Sequence, residues 1–392
     1  MRGHSAFGVF SDTTAPSPPI EGGLGCSGER RGAAPQVEVY GLLDTGVSYV
    51  HTDADIAGVA DTDTFSMTNA QEFGSRWGLR GVEDLGNGYK VGFTLESGIE
   101  SDTGALDTKQ GGKLFGREAH LNISGPFGKV WMGLMPVFGS VLGENGLFRA
   151  IDPLFANYTQ GLSSGFASAS MWTRVDNAFA YRTPTFGGLT GYAMYSLKMN
   201  TSAGEEGKAD ADRYASLAAR YVNAGLEAVL VADTTLYGNA RTGANAHEDD
   251  GMTVTLGGNY TFDNGFKVIV FGQYFKDQEL NVYARGGVAK TGIINLVHGY
   301  GFVDGWGASL GVNYPLAGGV IKGQLSYRDM DNDADVDFTR LSVAAGYDYP
   351  VSKRTALYVM AGYSQEKVED NKAKTDATPN GYELTAGIVH RF

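Results

Sequence analysis

Leu79-Arg-Gly-Val-Glu-Asp-Leu-Gly-Asn-Gly-Tyr-Lys-Val-Gly-Phe-Thr-Leu-Glu-Ser-Gly98 reads as two strands folded about a tight turn. In the second arm Tyr89, Val91, Phe93 and Leu95 fall on one face and Lys90, Gly92, Thr94 and Glu96 on the other. A period of two is what a pleated strand between unlike surroundings requires. The arms meet at Asn87-Gly88, a pair that adopts positive φ cheaply and so suits a two-residue hairpin.

Working outward, the same device recurs at 124–128, 184–188, 223–225, 263–265, 315–319 and 349–353, giving seven tight turns. Between them lie eight longer, polar connectors near 51–73, 101–112, 137–171, 199–212, 236–251, 277–302, 331–336 and 366–380. Seven short and eight long connections join sixteen antiparallel strands. That alternation suits a closed transmembrane β-barrel with short periplasmic turns and long extracellular loops. Closure is required in hydrocarbon, where an unpaired backbone group costs several kcal/mol, so a spanning sheet has no free edge. Segments of about ten residues are long enough to cross a bilayer when tilted. Tyr181, Tyr221, Tyr260, Phe262, Tyr314, Tyr347 and Tyr349 stand beside short turns, where an interfacial aromatic girdle belongs.

Composition agrees. The 392 residues include 57 Gly, 21 Tyr and 20 Phe, a glycine- and aromatic-rich balance that favours strands. A formal charge of −13 argues against nucleic acid, whose phosphates are bound by clustered Lys and Arg. Mean hydropathy is −0.18 and no apolar run approaches the length of a spanning helix. A barrel is compatible with such an average, because lipid-facing and lumen-facing residues alternate. The lone Cys26 excludes an intrachain disulfide and is a weak match to a lipoprotein-processing site. Residues 1–35 lack the apolar core of a signal peptide. They read as a non-barrel N-terminal extension, an aberrant leader or an artefact of a mis-set start, with the barrel domain spanning 36–392.

Several stretches resemble the general porins of Gram-negative bacteria, above all the betaproteobacterial and neisserial branch. They are VYGLLDTG (39–46), SRWGLRGVEDLGNGYKVGFTLESG (75–98), LFGREAHLNISGPFGKVWMG (114–133), RVDNAFAYRTPTFGGL (174–189) and YPVSKRTALYVMAGY (349–363). The last strand, 381–392, sets Tyr382, Leu384, Ile388 and Phe392 on one face and resembles the C-terminal assembly signal of outer-membrane barrels. The resemblance implies an outer-membrane homotrimer that lets small hydrophilic solutes and ions diffuse passively. It also implies a third loop, here 137–171, folded into the lumen. The expected partners are outer-membrane lipid and lipopolysaccharide, and the barrel-assembly machinery through the last strand. No cofactor or enzymatic activity is implied.

In such pores basic wall residues face acids on the infolded loop, and the field between them orients solutes. Strand phase and the resemblance nominate Arg76, Arg80 and Arg174 for the basic wall; Glu144 and Asp152 are the carboxylates within 137–171. Lys90, Glu96, Glu118, His120, Arg182, Arg220, Lys322 and Arg340 are also in lumen phase, each equally readable as a solvated lumen charge. One departure stands out: Leu134 and Met135 follow Gly133, where the family commonly has Arg and Gln. This leaves the sign of ion preference open.

The six histidines are spaced so that no two build a zinc site on one element. His120 suggests an outer-membrane phospholipase, but the Ser and Asn of that family's arrangement are missing nearby. His247-Glu248-Asp249-Asp250 offers oxygens to Ca²⁺ without the spacing of a ligating loop, and reads as a solvated loop tip.

Overall fold

The computed structural model describes residues 36–107, 112–154, 169, 174–199, 211–238, 249–279 and 301–392. Among them eighteen strand segments form one antiparallel sheet. In chain order they are β1 (Gln36–Asp53), β2 (Thr62–Asn69), β3 (Arg76–Gly86), β4 (Tyr89–Gly98), β5 (Glu118–Gly125), β6 (Gly128–Pro136), β7 (Arg174–Arg182), β8 (Leu189–Ser196) and β9 (Arg213–Asn223). There follow β10 (Leu226–Leu236), β11 (Gly251–Thr261), β12 (Lys267–Glu279), β13 (Phe302–Leu316), β14 (Gly319–Asn332), β15 (Val336–Pro350), β16 (Thr355–Asp370), β17 (Thr375–Ala377) and β18 (Asn380–Arg391).

Two pairs of segments each make one crossing. β2 pairs with the outer half of β1, from Thr45↔Asn69 to Thr52↔Thr62, and β3 pairs with its inner half, from Gln36↔Val82 to Leu42↔Arg76. β17 and β18 likewise share the partner β16. The wall therefore has the sixteen crossings expected. It closes through β1 and β18, which pair from Leu42↔Arg391 to Asp53↔Asn380, and Phe392 exchanges backbone hydrogen bonds with Gly41.

All seven tight turns fall in the stretches expected of them, and Asn87 and Gly88 both take positive φ, 54° and 81°. Three connectors expected to be long differ. About half of 51–73 and most of 366–380 is strand, and 331–336 shrinks to three residues between β14 and β15. Strands that rise beyond the hydrocarbon carry polar residues on both faces, so polarity marks loops poorly there.

The wall is apolar outside and polar inside. On β14 to β16 Leu325, Val343, Leu357 and Val359 are exposed, while the alternating Gln324, Ser326, Ser342 and Ser364 are buried. In water each exposed Leu or Val would forgo roughly 1.5–3 kcal/mol of burial, so this face belongs in lipid. The buried apolar side chains instead gather inside the barrel. Met135, Val137, Phe138, Leu147, Phe148 and Ile151, from the end of β6 and the chain beyond it, pack against Tyr214, Val229 and Phe271 of the wall.

Candidate functional site

The chain leaving β6 turns inward, and its described part, 137–154, follows the lumenal face of the wall. Phe138 meets Tyr192 of β8 edge-on at 5.4 Å, and Phe148 meets Phe271 of β12 at 5.9 Å. A single 3₁₀ turn, Leu147–Ala150, ends with the carbonyl of Ala150 accepting a hydrogen bond from Asn259 Nδ2 of β11 at 2.7 Å. Beyond it the strap lies flush against wall glycines. A Cβ on Gly257 would sit 2.8 Å from Ile151 Cγ2, and one on Gly311 would overlap Pro153 Cγ. Such close approach of chain to wall needs glycine. Leu154 is fully buried in a pocket of Leu42, Ala344, Tyr358, Met360 and Val389.

Of the two loop carboxylates, Glu144 contacts cations at the short-turn end of the wall. Its Oε2 accepts from Lys129 Nζ at 2.6 Å and its Oε1 lies 3.1 Å from Arg182 Nη1. Both cations stack on Trp131, at 4.7 Å and 5.3 Å from the ring centroid, and the indole is fully buried. Burial alone would push the Glu144 carboxyl up, but Lys129 and Arg182 outweigh it and hold the group below the usual carboxylate range. Asp152 is buried between Ile151 and Pro153, where the strap meets the wall.

Of the three nominated wall arginines, Arg76 and Arg174 both lie near enough to Glu96 for their charges to act on it, while Arg80 stands apart. Arg76 lies 3.5 Å from Glu96, which also accepts from Arg117 Nε at 2.6 Å and from the Tyr40 hydroxyl at 2.9 Å. Arg80 sits lower, donating to Glu38 at 2.9 Å with its guanidinium over the Tyr40 ring. Arg174 opens β7 opposite Pro136, beside the base of the strap. The structure thus brings Arg76 and Glu96 together, and Glu144 to Lys129 and Arg182.

The remaining lumen-phase residues occupy other depths. Glu118 and His120 contact at 3.0 Å, Arg220 donates to Glu227 at 2.6 Å, and Lys90 is exposed at the short-turn end. Lys322 pairs with Asp348 of β15. Arg340 and Arg328 both bind Glu366, at 2.7 Å and 2.9 Å, and all three side chains are fully buried.

Strand reading missed Lys129, Arg117, Arg328 and Glu366. Lys129 shares the phase of Trp131, and Arg328 and Glu366 continue the inward phase of their strands, so alternation held that signal. Arg117 lies in a connector, where alternation is silent. Met135 is fully buried in the apolar cluster under the strap, so the position of the usual Gln here anchors chain, and Leu134, at the position of the usual Arg, is half-buried. Cys26, His247 and Glu248 lie outside the described residues. Among the described residues no group of three or more His, Cys, Asp or Glu is placed to hold a metal ion.

A closed barrel with an apolar exterior and a polar interior, and with chain folded along its lumenal wall, is the architecture of an outer-membrane channel. This chain belongs to the Gram-negative porin family, whose profile matches residues 31–369. It is 30% identical over 395 residues to an outer membrane porin protein of Bordetella pertussis, covering 92% of this chain and 95% of that one. It is also 30% identical to outer membrane porin protein 32 of Delftia acidovorans, covering 86% of this chain and 85% of that one. Among solved structures, the anion-selective porin from Comamonas acidovorans superposes with a TM-score of 0.65 at 28% identity, covering 91% of this chain and all of the other. The chain is accordingly an outer-membrane porin, a passive channel.

Proposed function

We propose that this porin passes small hydrophilic solutes and ions through a lumen narrowed by loop 137–171, and that it carries out no chemistry on them. The observation that carries the reading is the strap's docking along the inner wall, from Phe138 on β8 to Leu154 at β14 and β15. This leaves the β3–β5 wall, with Arg76, Arg117 and Glu96, to face the remaining opening. Arg76, Arg80 and Arg174 form the basic side of the passage; Glu144 and Asp152 form the acidic side, Glu144 acting through Lys129 and Arg182. Lys90, Glu96, Glu118, His120, Arg182, Arg220, Lys322 and Arg340 set the wider lumenal field.

The working unit in this reading is a homotrimer set in outer-membrane lipid and lipopolysaccharide. The barrel-assembly machinery reads the outward row Tyr382, Leu384, Ile388 and Phe392, whose side chains are 40–52% exposed. Planar-bilayer recording and liposome swelling test the proposal. Stepwise currents and accelerated sugar uptake are expected; protein that inserts in trimeric form and yields neither would refute it.

A further inference from the structure

The second crossing of the wall is interrupted. Between β2 and β3, residues 70–75 leave the sheet, and their polar groups are met inside the barrel. The Asp44 carboxylate accepts the backbone N–H groups of Glu72 and Phe73, each at 2.7 Å, and the Tyr358 hydroxyl at 2.7 Å. Asp44 N donates to Ser75 Oγ at 3.0 Å. The Phe73 ring packs beside the pocket that receives Leu154 of the strap, and the Arg391 guanidinium lies over it at 4.8 Å. A charge taken from water in this way persists only with several partners. Asp44 therefore holds a built inward fold rather than a slack insertion.

Each end of that fold touches one side of the passage. Toward β3 the Gly74 carbonyl accepts from Arg76 Nη1 at 3.2 Å, and a Cβ on Gly74 would sit 2.5 Å from Arg117 Nη1. These are the two arginines on Glu96. Toward β14, Glu72 Oε1 lies 3.4 Å from Lys322 Nζ. The same ammonium donates to the Leu154 carbonyl of the strap at 3.3 Å and pairs with Asp348. Contact thus runs unbroken from the wall arginines, through residues 70–75 and Lys322, to the strap. Glu72 and Lys322 side chains are 3% and 10% exposed, so water screens their contact weakly.

We propose that residues 70–75 are a second constricting element of this porin, stapled to the strap through Lys322, and that together they close the ring around the passage. The proposal rests on the channel reading above. In it Gly74 is a specificity-determining position through Arg117, and Lys322 is a positioning residue that fixes the strap without contacting solute.

Single-channel recording of purified trimers tests it, with heat-modifiable migration on gels confirming that each variant is folded. Gly74→Ala pushes the Arg117 guanidinium off Glu96, and the reversal potential in a salt gradient should move toward cations. Lys322→Gln releases the Leu154 carbonyl and Glu72, raising open-channel conductance and current noise, and Lys322→Arg should restore both. Glu72→Gln should raise noise in the same direction, and the Glu72→Gln/Lys322→Gln double variant should exceed Lys322→Gln alone by nothing measurable, because Lys322→Gln already removes the contact that Glu72→Gln breaks. Folded Gly74→Ala and Glu72→Gln proteins with wild-type conductance, noise and reversal potential would overturn the proposal even if Lys322→Gln fails to assemble. Effects of Glu72→Gln and Lys322→Gln that add would overturn the shared staple. A wild-type protein that carries no current would remove the channel reading itself, an outcome distinct from a conducting channel indifferent to these changes.

Discussion

Removing Glu366 should destabilise the barrel more than removing any of its exposed charges. Arg328 of β14 and Arg340 of β15 are direct cross-strand neighbours, an arrangement that by itself repels. Glu366 of β16 offers one oxygen to each guanidinium, at 2.9 Å and 2.7 Å, and none of the three side chains is more than 1% exposed. In Glu366→Ala two buried cations lose their shared anion. Breaking a buried pair from one side costs about 3–5 kcal/mol. At one tenfold step per 1.4 kcal/mol, the folded-to-unfolded ratio should fall by a factor of about 10² to 4 × 10³. Urea titration in liposomes, followed by tryptophan fluorescence, measures the change. Replacing all three with apolar residues, Arg328→Met/Arg340→Leu/Glu366→Leu, should recover most of the loss, since a buried ion network offers little net stabilisation over a packed apolar one. A Glu366→Ala midpoint matching that of Lys367→Ala, whose ion pair with Glu369 is largely exposed, would refute the reasoning.

Three further outcomes are expected. Because the folded Glu144 carboxyl titrates below its unfolded value, its hold on Lys129 and Arg182 is present above the ordinary carboxylate pKa and lost as pH falls through the depressed one; channel noise should rise only in that acid window, and Glu144→Gln should show it at every pH. Gly311→Val should lift Pro153 off β13 and drive the strap into the passage, lowering single-channel conductance without changing the barrel's strand content by circular dichroism. Trp131→Ala removes a buried indole that seats two cations, at a cost of about 3–5 kcal/mol, read in the same urea titration; an unchanged midpoint would show that the strap's packing does not depend on it.

The architecture was legible because alternation and turn chemistry act locally. Tyr89 to Leu95 alternate because one face meets lipid, and Asn87-Gly88 turn because positive φ is cheap there, so each strand announces itself without reference to its neighbours. The charge pairs were not legible, because register sets them. Phase sends Arg80 and Glu96 inward, but that Arg80 finds Glu38 and Glu96 finds Arg117 follows from which strand lies beside which. The stretch Asn69-Ala-Gln-Glu-Phe73 reads in sequence as the end of a polar loop; its inward fold depends on Asp44, more than twenty residues upstream. The length and polarity of 137–171 indicated a functional loop, but its course depends on gaps at Gly257 and Gly311 that no local pattern shows.

The pairing of Leu42 with Arg391 joins positions separated by almost the whole chain. Every other neighbouring pair of crossings can zip as soon as a hairpin forms, at little cost in chain entropy; this one must wait until the last residues arrive. Until then the sheet carries two raw edges able to recruit any passing strand. A polypeptide lacking β18 would therefore be an aggregation template rather than a leaky pore, which makes that strand a checkpoint on whether the wall can shut.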